Sequence, residues 1–170
     1  MVDLVRPEQT ATHQARRAAP RAGEAVFAFL ATSWFGLLLG VSFLATPVKF
    51  QAPSLELPVA LDVGRVTFAL FSKVELGLSL ILVLCMLVLR TGYVRAAVAA
   101  LVVAIVLLET LWLLPILDAR VGEIIAGTTI SPTGHHLWYV IAEAVKAVVL
   151  LGLAVDALRR LARQSAAERA

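Results

Sequence analysis

The chain predicts an all-α fold: a four-transmembrane-helix bundle with both termini cytoplasmic. Three observations carry this. Apolar residues fill 60% of the 170 positions and charged residues only 16%, with a mean hydropathy of +0.88, whereas soluble domains run near 45–50% and about 25%. The apolar residues gather in four runs, each meeting the roughly 20-residue length that crosses about 30 Å of hydrocarbon. Finally, the cations between those runs are distributed unevenly, which sets orientation.

Residues 1–23 hold Arg6, Arg16, Arg17 and Arg21 among Ala, Gln, Pro and Gly. They lack a periodic apolar face and read as a mobile basic cytoplasmic arm. Arg16-Arg17 lacks the rest of a twin-arginine export signal. The membrane domain is expected over 24–158. Its first span, 25–46, has 22 residues, longer than the 7–15 of a signal-peptide core, and so reads as a retained anchor. The other spans are expected at 66–89, 96–117 and 137–158, followed by a basic cytoplasmic tail over 159–170.

Between these spans, Pro47, Pro53 and Pro58 sit among apolar residues. The 47–65 connection is therefore expected in the outer interface or as a lid over the bundle mouth. Pro115 is expected to bend or end the third helix. Ser131-Pro132 reads as an N-cap followed by a first-turn proline. Gly36 and Gly40 form a GxxxG step, and Ala96, Ala100 and Ala104 a similar ladder. Both are expected to bring helices of this chain together.

Ten arginines lie in the arm, the 90–95 turn and the tail. The opposite side holds Lys49, Arg65 and Arg120, set among Glu56, Asp62, Asp118 and Glu123. The positive-inside rule then predicts a multi-pass protein of the cell inner (plasma) membrane, with N and C termini inside. The expected partner is the lipid bilayer, with a homo-oligomer or a membrane complex left open. A dispersed net charge of +3 offers no nucleic-acid footprint. The single cysteine, Cys85, excludes an intrachain disulfide, a CxxC motif and a Cys-rich metal site, and reads as a small buried apolar residue.

Three of the spans carry a glutamate: Glu75, Glu109 and Glu143. A carboxylate at a helix centre costs roughly 2.5 kcal/mol or more on insertion scales, so a partner or a purpose is expected. Counted at about 1.5 Å per residue from the outer helix ends, Glu109 lies roughly 12 Å deep, Glu143 roughly 9 Å and Glu75 about 13 Å. Lys73 and Lys146 fall at similar depths. Helical phase places His136, Tyr139, Glu143 and Lys146 on one stripe and Phe68, Ser72, Glu75 and Ser79 on another. Glu109 shares its expected face with Trp112 and Ile116. Lys73 points nearly opposite to Glu75 and is expected to snorkel or to pair with a carboxylate of a neighbouring helix. Arg65 would guard the mouth.

Two readings of this layer stand side by side. In one it is a structural network whose charges neutralise each other and fix helix register. In the other it binds or moves a cation, a proton or a small molecule, with Glu75, Glu109 and Glu143 supplying negative charge, His136 the outer contact and Lys146 the balance. A divalent metal held by His136, Glu143 and Glu109 would suit a metal-dependent redox enzyme. The balance leans away from an enzyme. No Walker-type phosphate loop, GxGxxG after a strand, HExxH or GxSxG elbow is present. His135 and His136 share one helix, which argues against a bis-histidine haem within one chain. An accessory subunit of a membrane complex is the remaining alternative.

The segment FLATPVKF from Phe43 to Phe50, then DVGRVTF from Asp62 to Phe68, and Glu75, resemble a pattern in small bacterial four-helix membrane proteins. These are similar in layout to the family of human transmembrane protein two hundred and five. The resemblance covers the first half of the chain. It implies a four-helix membrane fold and a loose link to metal or drug tolerance, and supplies no catalytic residue. A similar layout occurs in anthrone-oxygenase-like membrane proteins, which implies the redox alternative.

Overall fold

The computed structural model describes residues 7–89, 91–128, 133–167 and 169, with side chains from residue 21 onward. Among them the chain is helical, in four rods and without a strand. The first rod joins α1 (Pro7–Leu38), a π-helical segment η1 (Leu39–Ala45) and α2 (Thr46–Lys49). The second is α3 (Leu57–Leu89). The third joins α4 (Tyr93–Leu108), a second π-helical segment η2 (Glu109–Leu113) and α5 (Leu114–Ile125). The last is α6 (His135–Ala167). Consecutive rods are antiparallel: Gly23 meets Leu89 and Lys49 meets Gly64 in the first pair, Arg65 meets Asp118 in the second, and Arg95 meets Asp156 and Trp112 meets His135 in the third.

Three stretches are long and apolar enough to cross a membrane: Arg21–Lys49, Leu57–Leu89 and Tyr93–Ile125. Phe29, Leu70, Leu111 and Val148, one on each rod, are all largely exposed, so every rod turns an apolar flank outward. A water-soluble monomer rarely exposes apolar surface so continuously.

The rods outrun the apolar runs that announce them. Residues 7–23, expected as an irregular arm, belong to α1, and the tail continues α6 to Ala167. Likewise α3 begins at Leu57 rather than near 66, so the 47–65 connection shrinks to the turn 50–56. Hydropathy marks only the lipid-facing part of a helix. Propagation through Ala, Leu, Glu and Arg, each a good helix former, carries it further. Pro58 sits in the first turn of α3, where its missing N–H removes nothing. The Ser131-Pro132 cap lies outside the described residues.

Pro115, expected to bend or end its rod, does not end it: the helix continues to Ile125. The ladder widens instead, as the N–H of Leu114 reaches back five residues to the Glu109 carbonyl. The same device precedes Pro47, where the N–H of Thr46 bonds the Val41 carbonyl and the Thr46 hydroxyl donates to it at 2.8 Å. A proline cannot donate to the carbonyl four residues back and its ring crowds that turn. A π-type turn just upstream absorbs the mismatch and keeps the helix continuous.

The packed face of α1 is Phe27, Ala31, Trp34 and Leu38, at helical spacing, against Leu150, Leu153, Ala154 and Ala157 of α6, with Phe71, Leu82, Val102 and Val106 completing the core. Cys85 packs half-buried against it. This phase corrects the small-residue expectation. Gly36 and Gly40 lie off the buried stripe, and a side-chain carbon at either would meet open space. On α4 the buried positions are Arg95, Ala99, Val102, Ile105 and Val106, leaving Ala100 and Ala104 exposed. The seams instead pair bulky residues with other alanines, Ala31, Ala99, Ala154 and Ala157.

At the end of the bundle holding the chain termini, Arg95 is only 6% exposed. Its Nη1 donates to both Glu24 carboxylate oxygens at 2.7 and 2.9 Å, and its Nε lies 3.4 Å from Asp156, while its guanidinium stacks 3.9 Å from the Phe27 ring centre. One side chain thereby ties α1, α4 and α6. Arg95→Ala is expected to cost about 3–5 kcal/mol, because it leaves Glu24 buried and uncompensated. Arg160→Ala, which removes only a half-exposed contact to Asp156, should cost about 0–1 kcal/mol. Thermal unfolding of the two variants in detergent distinguishes them; equal losses would contradict this assignment.

Candidate functional site: a buried carboxylate–lysine cluster

Lys146, with no exposed surface, is the centre of the site. Its Nζ lies 2.7 Å from Glu75, 2.5 Å from Glu109 and 2.6 Å from Glu143. The three carboxylates come from α3, the start of η2 and α6, and each is buried. An ammonium has three N–H donors, and here each meets a different glutamate.

The first rod brings no charge but completes the shell. The Trp34 indole N–H donates to Glu75 Oε1 at 3.0 Å, and the Ser42 hydroxyl donates to Glu143 Oε2 at 2.6 Å. One carboxylate oxygen is left over: Glu109 Oε1 is buried without a hydrogen-bond partner. Ser79, one turn beyond Glu75 on α3, also keeps a buried hydroxyl oxygen unpartnered.

Local helical geometry explains why these side chains meet. Tyr139, Glu143 and Lys146 recur on the buried stripe of α6, and Ser72, Glu75 and Ser79 on that of α3, as phase predicts. On the third rod the π-helical turn changes the rhythm. Glu109 and Leu113 are the buried pair, while Trp112 is 49% exposed. With i→i+5 bonding an extra residue enters the turn, so the fourth residue on, not the third, regains the face. The expected Glu109–Trp112 face is corrected for that reason.

The remaining sequence candidates surround the cluster instead of joining it. A cavity of about 510 Å³ is lined by Lys49, Arg65, Lys73, Asp118, His136 and Tyr139, with Thr46, Ser72 and Thr110, among apolar side chains. A second, of about 480 Å³, shares His136, Tyr139, Phe68 and Thr46 with the first and reaches Ser42 and Glu143. Arg65 is held by Asp62 at 2.9 Å and by Asp118 at 3.5 Å. Lys73 is exposed on the first cavity and forms no carboxylate pair among the described residues, so of its two expected placements the helix–helix pairing is not seen. His135 turns away, against Thr133 at 3.0 Å and edge-on to Trp112.

No family model, no curated protein and no solved structure matches this chain. The chemistry is therefore read from the site alone.

Among the described residues, one group of acidic or histidine side chains has the closeness of a metal site: Glu75, Glu109 and Glu143, with ligand oxygens within 4.8 Å of one another. His136 is not part of that group. The point equidistant from the three carboxylates is filled by the chain's own ammonium, which already serves each of them. A divalent ion would have to displace Lys146.

Sequence reasoning found the four charged residues but not Trp34 and Ser42, nor the distant Glu24–Arg95–Asp156 layer. Both missed residues are polar donors within an apolar run, a visible but weak signal. Lys146→Met is expected to lower the melting temperature sharply, since it strands three buried carboxylates. Adding Glu75→Gln and Glu143→Gln to it should recover part of that loss, because amides carry no charge. Detergent melting curves check this, and a triple variant no better than Lys146→Met would refute the charge explanation.

Proposed function

We propose that this is a four-span protein of the inner membrane, with both termini cytoplasmic, that takes up a proton or small cation at the Glu75–Glu109–Glu143–Lys146 cluster from the outer side. On this reading α6 is the fourth crossing. Its apolar flank and the cationic ends of the first and last rods support that topology. The observation that carries the functional reading is the charge balance. Three carboxylates face one ammonium in a buried layer, and Glu109 Oε1 has no hydrogen-bond partner in the protein.

Fully ionised, such a cluster would hold a net charge of two negatives in hydrocarbon, at a cost of several kcal/mol per ion. Two protons, or a proton and a small cation, make it neutral. Glu109 is the natural carrier, with a free oxygen beside Lys146. Ser42 and Glu143 form its contact with the cavity, while Trp34 and the core beneath it close the opposite side. A group reachable from one side and sealed on the other is what alternating access starts from.

The second reading, a static ion network, is favoured by the saturation of all three Lys146 donors. The redox-enzyme alternative is less well supported, because His136 lies outside the close carboxylate group.

Glu109→Gln separates the first two. In proteoliposomes containing a pH-sensitive dye, the wild-type protein is expected to pass protons or a monovalent cation, and the variant to lose at least tenfold of that rate while melting within a few degrees of wild type. A variant that melts much lower and whose wild-type parent shows no flux would support the static network instead. Near-stoichiometric metal in purified wild type, lost in both Glu109→Ala and His136→Ala, would return the metal reading to first place.

A further inference from the structure

A second charge in the bundle has no carboxylate partner among the described residues. Lys73 stands near mid-length of α3, a helix long and apolar enough to cross a membrane. It is exposed on the 510 Å³ cavity with no carboxylate partner among the described residues. An unpaired ammonium at that depth is costly and calls for an anion. Lys49 lines the same cavity, also without a carboxylate, its ammonium lying 5.0 Å from the Phe50 ring centre. That ammonium rests against Gly64, where any side-chain carbon would collide with it. The third cation, Arg65, is already engaged by Asp62 and Asp118. Two open cations therefore face a chamber whose walls, including Phe68, Leu114 and Val121, are mostly apolar.

We propose that this cavity binds an amphiphile with an anionic head, a carboxylate or a phosphate, whose charge is met by Lys73 and Lys49 and whose apolar body lies along Phe68, Leu114 and Val121. Apolar walls with a few placed polar groups are the general form of a small-molecule site. The inference is independent of the carboxylate cluster. It rests only on α3 crossing a membrane, which places Lys73 at a depth where an ammonium without a counter-charge is costly.

The test is titration calorimetry of the purified full chain in a neutral maltoside detergent, with dodecanoate, dodecyl phosphate, dodecan-1-ol and dioctanoylphosphatidylglycerol as probes. Saturable binding of the anionic probes is expected, with the alcohol at least tenfold weaker. Lys73→Gln and Lys49→Gln should each weaken binding roughly tenfold, about 1.4 kcal/mol, and together abolish it. Tighter dodecanoate would identify a free amphiphile as the ligand, and tighter phosphatidylglycerol a membrane lipid; either supports the site. Dodecan-1-ol binding as tightly as dodecanoate, wild-type affinity in the double variant, or no binding to wild type would overturn it. Should the double variant not elute as a single species, a diazirine-bearing fatty acid photolysed on wild type decides. Labels confined to the cavity residues support the proposal, and labels spread over the outer flanks overturn it. Glu109→Gln should leave dodecanoate binding unchanged, so failure of the proton-site reading and failure of this one remain distinguishable.

Discussion

The contact of one lysine with three glutamates is the constraint around which this bundle is arranged. Lys146 draws α3, η2 and α6 to a single point, and Ser42 and Trp34 attach the first rod to the same carboxylates. Lipid offers helices no hydrophobic drive to associate, so their arrangement rests on packing and on polar contacts they cannot find elsewhere. An ion network of this kind adds little net stability over a well-packed apolar core. Its effect is to make every wrong register expensive, because a shift of one residue would strand a charge. The small-residue steps that commonly bring membrane helices together face outward here, and the polar cluster takes over that task.

The prolines matter because of where they place Glu109. A regular α-helix through residues 105–116 would put Glu109 in phase with Trp112, a side chain that instead lies half out of the bundle. The widened turn before Pro115 carries Trp112 off the inward face while Glu109 and Leu113 keep it, and the rod stays continuous to Ile125. Single π-type turns recur at functional sites because they re-aim one side chain without breaking a helix. The equivalent turn before Pro47 carries Ser42, the residue that touches Glu143 from the first rod. Two prolines in different rods thus lie just beyond the two segments that hold the cluster's nearest neighbours.

Much of this was legible in the sequence, and the failures have identifiable causes. Hydropathy located the rods but not their ends, since polar flanks such as residues 7–23 continue a helix without carrying an apolar signal. Phase arithmetic assembled Tyr139, Glu143 and Lys146 on α6 and Ser72, Glu75 and Ser79 on α3, because those helices are regular. It failed at Trp112, where the period itself changes. Arg95 was read as a topology signal, one more cation on the inner side. Its burial against Glu24 and Asp156 depends on which helices become neighbours, and no local pattern encodes that.

The two ionic layers differ in a way that bears on function. In the layer near the termini, Arg95 faces Glu24 and Asp156 with Arg160 beside them, so two cations meet two anions. That layer is balanced in charge and borders the half-exposed Asp156, although Arg95 Nε and Nη2 are buried there without a hydrogen-bond partner. The layer at Lys146 has one cation against three anions, lies wholly inside, and leaves Glu109 Oε1 unanswered. If both layers served only to hold helices together, the balanced arrangement would suffice twice. An excess of carboxylate in the less hydrated of the two is unfavourable for stability alone. The proposed uptake of a proton or a small cation would offset that excess, and the cavity lined by Glu143 and Ser42 would be its route.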